Sequence, residues 1–331
     1  MMSKGTVVLK RSDISSLLAF EDYFQAVESA FRAHGQGKVL SQGLLHFDSP
    51  PGEFHVKAGG LALDRAYFAL KNNGGFSQNP KQNGLPSILG TITLCDGNNG
   101  YPLAIMDSSE ITRQRTAAAA AVAAKYLARP DSTVITICGC GTQGNAQLRA
   151  AVRVLPIKKA FAFDLDHQKS RQFAAEMSKE LAIEVQPVDG VGPAIGGSQV
   201  CITCTPSYQF YVPRQSVAAG TFIAAMGADS PNKQELDPSL LPASKVVVDI
   251  LEQCERAGEL HHAIEGGLMA RDDIHGELGE IVAGRKPGRT STDEITIFDS
   301  TGTAMQDVAA AAMAYSKAVE KGRGTWINLM A

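Results

Sequence analysis

Little in this sequence marks it for a nucleic acid, a membrane or a disulfide framework. Its 331 residues include one tryptophan, and aromatic residues make up only 6%. The formal net charge is -3 and there is no long basic run, which argues against a nucleic-acid partner. The opening MMSKGTVVLKRSD lacks the apolar core of a secretory signal. The longest apolar stretch near the middle, 117–124, is too short to span a bilayer and is broken by Lys125. These absences read as a soluble, cytoplasmic protein with no membrane partner, and the length sets a prior of two domains.

Cysteine is also sparse, with six residues at 95, 138, 140, 201, 204 and 254. In a long chain without a signal these are expected to be reduced thiols. Cys201 and Cys204 form a nominal C-x-x-C, but their segment alternates like a strand, so residues three apart face opposite ways. Cys138 and Cys140 lack partners at zinc-like spacing. No metal site is expected.

What is present is periodic structure. Residues 13–36 carry apolar residues at helical spacing, with Asp13 as the expected N-cap. From about Leu40 to Asp107, short runs such as GEFHVKAGGL, AYFALK, ILGTITLCD and PLAIMD read as strands separated by turns. A helix through the alanine run follows and stops at Pro130; it connects two domains. Beyond it come TVITIC, a glycine loop, the helical GNAQLRAAVRVL and the strand AFAFDLD, then further alternation. That order predicts a parallel sheet with helices on both faces. The tail returns to a strand, Ser300-Thr301-Gly302 and a long helix. The expected fold is therefore α/β. A Rossmann-type domain, 113–309, includes the connecting helix. A discontinuous α+β substrate and dimerisation domain is assembled from 1–112 and 310–331.

The loop CGCGTQG (138–144) contains G-x-G-x-x-G between a strand and a helix, and Asp164 ends the next strand twenty residues after Gly144. Gly139 permits the tight turn, Gly141 lets the backbone approach a pyrophosphate, and Gly144 allows close helix–strand packing. Thr142 and Gln143 open the helix, whose N-terminus supplies N–H groups and a favourable dipole. Asp164 is expected to accept the adenosine ribose hydroxyls and to repel a 2′-phosphate, so the expected cofactor is NAD. Thr205 and Ser207, after QVCITC, fall at the carboxyl edge of the sheet, where such folds bind ligands. Ser300 and Thr301 are alternatively an N-cap. His261 and His262 are adjacent on a helix, where neighbours diverge, so a helix-end role is expected.

Several segments in order resemble the ornithine cyclodeaminase/μ-crystallin family: 71–90, 98–132, the glycine loop, 160–166, 227–238 and FDSTGTAMQDVAAAA (298–312). The resemblance covers nearly the whole chain. It implies nicotinamide-dependent chemistry at the Cα–N bond of an amino or imino acid, and a homodimer. It does not imply the substrate's side chain. Lys71 matches the family lysine beside the substrate carboxylate and imine. Ser87 stands where a Thr or Ser contacts substrate, and Arg115 matches the carboxylate-clamping arginine. Asp229 matches the acid that handles the amine or the attacking water. One departure stands out. Many members carry an early-strand arginine, but 41–60 has none; its cations are His46, His55 and Lys57, and Lys57 is the expected replacement.

A guanidinium fits a carboxylate bidentately. A buried carboxylate can take an amine proton, and a lysine near other cations can have a lowered pKa. The residues therefore suit oxidation of an amino acid through its imine. The leading expectation is an NAD-dependent amino acid dehydrogenase or imine reductase. Its alternatives are a cyclodeaminase with catalytic NAD and a non-catalytic ligand-binding protein. Each site residue also has a plainer role open to it: Lys71 as a solvated strand-end lysine, Arg115 in a surface ion pair, Asp229 as a turn residue, and Lys57 on either face.

Overall fold

The computed structural model describes residues 5–329. The chain divides into two compact units, one running up to Arg115 and resuming at Thr303, the other spanning Thr116–Gly302. The divisions therefore fall a few residues from the sequence-based limits, at 115/116 and 302/303, because the whole C-terminal helix packs in the first unit.

The first unit holds a seven-stranded sheet. Its strands are β1 (Thr6–Leu9), β2 (Val39–Ser49), β3 (Gly52–Ala62), β4 (Ala66–Gly75), β5 (Ile88–Asp96), β6 (Pro102–Asp107) and the short strand Thr325–Ile327. The order is Thr325–Ile327, β1, β6, β5, β4, β3, β2. β2 is additional to the four runs named from sequence. Leu44, Leu45 and Phe47 along it are all exposed, so it shows no buried-face alternation. The helix expected over 13–36 is two helices, α1 (Arg11–Leu17) and α2 (Phe20–Gly35). Asp13 is not an N-cap. It sits inside α1 and accepts from Lys10 N at 3.1 Å, and Asp22 does the same for Ala19 N at 2.8 Å, restarting the helix after the break. The C-terminal helix Ala304–Lys321 packs on α2, β3 and β4, and Lys317 Nζ meets Asp22 at 2.6 Å.

The helix α3 (Ser108–Leu127) carries the chain from one unit into the next, and residues 117–124 are buried throughout. The second unit holds eight parallel strands. They are β7 (Val134–Cys138), β8 (Lys159–Phe163), β9 (Glu184–Val188), β10 (Val200–Thr203), β11 (Phe222–Ala225), β12 (Lys245–Val248), β13 (Gly276–Glu277) and β14 (Thr296–Asp299). Their order, β13-β12-β14-β11-β10-β7-β8-β9, reverses direction beside β7, the topological switch point where such sheets bind ligands. Helices α4 (Thr142–Val154) and α5 (His167–Leu181) follow β7 and β8. The central strands read as apolar runs because both their faces are covered: every residue of β10, β11 and β14 is buried. This is the expected α/β architecture.

Candidate active site

In the first unit, three predicted residues converge on a fourth that sequence reasoning missed. Lys57 on β3 and Lys71 on β4 are directly opposite in register, so they share a face. Both are buried, as are Arg115 and Asp307. Lys71 Nζ lies 2.6 Å from one Asp307 oxygen, and Arg115 Nε donates to the other at 3.0 Å. Arg115 also donates to Gln306 Oε1 at 2.9 Å. Asp307 and Gln306 occupy the first turn of the C-terminal helix. An aspartate beside a run of alanines was the available signal, since a charge in such a stretch must find a partner when buried.

The charges in this cluster pull against one another. Burial drives Lys71 down to about 7, and Arg115 and Lys57 push the same way, while the Asp307 ion pair opposes them. Burial works to raise Asp307, but Lys71 and Arg115 prevail and hold it below its ordinary value. Lys71 is thus a buried amine poised near neutrality next to a fixed guanidinium. Neither is a surface group. Ser87 is partly exposed on the segment before β5, where its carbonyl accepts from Phe76 N at 2.7 Å. Ser108 Oγ and Asn73 Oδ1 meet at 2.5 Å, fixing the start of α3 to β4.

In the second unit the glycine loop has the expected form. Gly139 has φ +100°, and a Cβ there would meet Cys204 O at 2.9 Å. A Cβ on Gly144 would lie 2.0 Å from Gly139 O. The protein's own packing therefore requires both glycines. Gly141 is different: a Cβ there would meet nothing within 4 Å. It is the N-cap of α4, has no side-chain cap, and both it and Thr142 are exposed. The bare N-terminus with open space before it fits a phosphate group. Gln143 is half-buried in the same turn. Asp164 Oδ2 accepts from Cys140 N and Oδ1 from Asp166 N, each at 2.9 Å, which holds the carboxylate over the loop. Each oxygen keeps a second lone pair for a hydroxyl.

Thr205 and Ser207 are placed by their own surroundings. A buried acid, Glu235, gathers Thr203 Oγ1 at 2.7 Å, Thr205 N and Oγ1 at 2.7 Å each, Tyr211 OH at 2.8 Å and Gly227 N at 2.9 Å. It ties the segments leaving β10 and β11 together at the carboxyl edge, and burial raises its carboxyl despite those donors. Sequence reasoning missed it. Ser207 Oγ closes a local turn onto Gln209 O at 2.6 Å. Asp229 is met by Lys233 Nζ at 2.6 Å within its own loop. Ser300 and Thr301 do not cap the C-terminal helix, whose N-cap is Thr303. Their hydroxyls reach Asp249 at 3.0 and 3.3 Å. His261 and His262 do not diverge. Their rings meet at 5.2 Å, with His261 Nδ1 at Glu255 O and His262 Nε2 at Lys233 O. All six cysteines are free, and burial pushes the Cys140 thiol up to about 12, which favours its neutral form.

The profile of the ornithine cyclodeaminase/mu-crystallin family matches residues 4–322. Alanine dehydrogenase from Archaeoglobus fulgidus is 38% identical over 324 residues, covering 98% of each chain. An archaeal alanine dehydrogenase dimer with bound NAD superposes with a TM-score of 0.93 at 37% identity, over 98% of this chain and 99% of that one. Delta(1)-pyrroline-2-carboxylate reductase of Thermococcus litoralis, in complex with NADH and L-proline, superposes with a TM-score of 0.91 at 36% identity, over 97% and 100%.

Proposed function

The chain belongs to the ornithine cyclodeaminase/mu-crystallin family, and on that premise we propose that it is an NAD-dependent oxidoreductase working at the Cα–N bond of an L-amino acid or its imine. The reading covers amino acid dehydrogenases and imine reductases. The observation that carries it is the buried Lys71–Asp307–Arg115 cluster, in which a lysine is held near neutrality beside a fixed guanidinium.

NAD held by the glycine loop and Asp164 would supply hydride transfer to or from Cα. The chain's own residues do the rest. Arg115, oriented by Asp307 and Gln306, clamps the substrate α-carboxylate through its planar fork. Lys57 adds a second cation to that clamp, in place of the early-strand arginine common in the family. Lys71 holds or releases a proton at Nζ next to the substrate nitrogen, which its lowered pKa permits at neutral pH. Asp229 handles the amine proton or the attacking water, and Ser87 contacts substrate. Gly139 and Gly144 would shape the turn, and Gly141 with Thr142 and Gln143 at the helix N-terminus would hold the pyrophosphate. Asp164 would accept the ribose hydroxyls and disfavour a 2′-phosphate, and Thr205 and Ser207 would line the cofactor edge.

The protein works as a homodimer in this reading. Leu45, Phe47, Phe68 and Leu70 share the sheet face opposite Lys71 and are 57%, 53%, 38% and 41% exposed. A contiguous apolar face of that kind marks an interaction surface. A second copy of the chain is the proposed occupant.

The test is incubation with NAD⁺ and a panel of L-amino acids including alanine, proline, ornithine and lysine, following NADH absorbance and ammonia in the same samples. NADH formed in proportion to substrate consumed supports the proposal, with ammonia for a primary amine and without it for proline. Ammonia with no net NADH identifies a cyclodeaminase, the second reading, which Asp229 supports about as well. Turnover of none of them leaves a binding protein and overturns both.

A further inference from the structure

The hairpin of β2 and β3 carries one pattern twice, in mirror image. His46-Phe47-Asp48 enters the turn at Pro50-Pro51, and Glu53-Phe54-His55 leaves it. The register sets His46 directly opposite His55, and Asp48 opposite Glu53. Strand alternation then brings the four polar residues to one face and sends Phe47 and Phe54 to the other.

The side chains converge. The two imidazoles meet edge to face with centroids 4.5 Å apart. His55 Nε2 is 3.0 Å from Glu53 Oε1, His46 Nε2 is 3.6 Å from Glu53 Oε2, and His46 Nε2 is 3.2 Å from Asp48 Oδ1. Nitrogen and oxygen ligands about 2.0–2.2 Å from a tetrahedral zinc ion stand roughly 3.3–3.6 Å from one another. The 3.6 Å gap matches that edge, and the gaps of 3.0 and 3.2 Å open to it by small side-chain rotations. Two imidazole nitrogens with carboxylate oxygens are a donor set for zinc and neighbouring first-row ions, whereas magnesium and calcium favour oxygen alone.

We propose that His46, Glu53 and His55 form a binding site for a divalent transition-metal ion, Zn²⁺ being the representative, which clasps β2 to β3 at their turn. The site rests on the hairpin alone and does not depend on the proposed activity. Its imidazoles come from both strands, so an ion bound there stabilises the paired hairpin over the open chain. The same gaps also suit imidazole–carboxylate hydrogen bonds, and a metal titration separates the two cases.

The full-length protein, stripped with a chelator, is titrated with ZnCl₂ by calorimetry, and thermal midpoints are recorded with Zn²⁺ and with Mg²⁺. One Zn²⁺ per chain is expected, with a midpoint raised by Zn²⁺ and not by Mg²⁺. His46→Gln and His55→Gln each weaken Zn²⁺ affinity at least about tenfold while keeping the metal-free midpoint, since both positions are partly solvent-exposed. His262→Gln serves as the control, because His261, His262 and Glu265 form the other compact His/carboxylate group among the described residues. It is expected to leave affinity unchanged. Absence of saturable Zn²⁺ binding overturns the proposal. So does unchanged affinity in His46→Gln and His55→Gln, or loss of binding in His262→Gln alone.

Discussion

Arg115 and Lys71 sit one on each oxygen of the same buried carboxylate, yet they are expected to fail differently when replaced. Arg115→Ala removes a charged, preorganised donor. The KM for the amino acid should rise roughly 10- to 150-fold, as about 1.5–3 kcal/mol of charged hydrogen bonding implies, while the NAD dissociation constant stays put. Steady-state kinetics with a separate NAD titration check this, and unchanged KM removes Arg115 from the clamp. Lys71→Met acts on stability through pH. The native lysine loses its proton near 7, whereas the unfolded chain keeps its own up to the ordinary lysine range. Between those limits the unfolded state binds more protons, so wild-type stability rises with pH. Lys71→Met should lack that rise in urea melts taken from pH 7 to 10. Lysine and arginine were legible in the sequence through their segments. Asp307 was not read, because its role exists only where the C-terminal helix meets β4.

At the scale of elements, the glycine loop separates what folding requires from what a ligand requires. Gly144→Ala puts a methyl group 2.0 Å from Gly139 O, a backbone atom that cannot swing aside. It should cost about 1–3 kcal/mol, measured in denaturant melts. Gly141→Ala meets only open space. It should leave the melt unchanged and weaken NAD binding, so weakened folding with intact NAD binding would reverse the assignment. The strand–turn–helix order and Asp164 were readable because they are local and fixed in spacing. The break between α1 and α2 was not. Both helices carry apolar residues at one period, and only the carboxylates of Asp13 and Asp22, each turned back onto the preceding backbone, mark two starts. Glu235 was invisible for a similar reason, since its five donors come from three separate segments.

For the whole molecule, the seven-stranded sheet has one face beneath α2 and the C-terminal helix and another that exposes Leu45, Phe47, Phe68 and Leu70. Leu45→Glu with Leu70→Glu should convert a dimer to a monomer in light scattering, because burying two new carboxylates against an apolar partner is strongly unfavourable. A dimer that persists places its interface elsewhere. This face was not legible from the chain. Nothing in the spacing of the apolar residues of β2 marks them as exposed, and only strand register shows that the helices cover the opposite side.

The sequence alone determined the class of fold and the place of the glycine loop, because both follow from short-range patterns: alternation, helical period, and glycines where a side chain would collide. It also determined which charged residues were candidates. Tertiary structure alone decided how those charges meet. Lys57 and Lys71 become neighbours through cross-strand register, and Asp307 reaches Lys71 and Arg115 from some two hundred residues away along the chain. Such pairings depend on desolvation and on register, and neither is written in the spacing of residues along a strand or a helix.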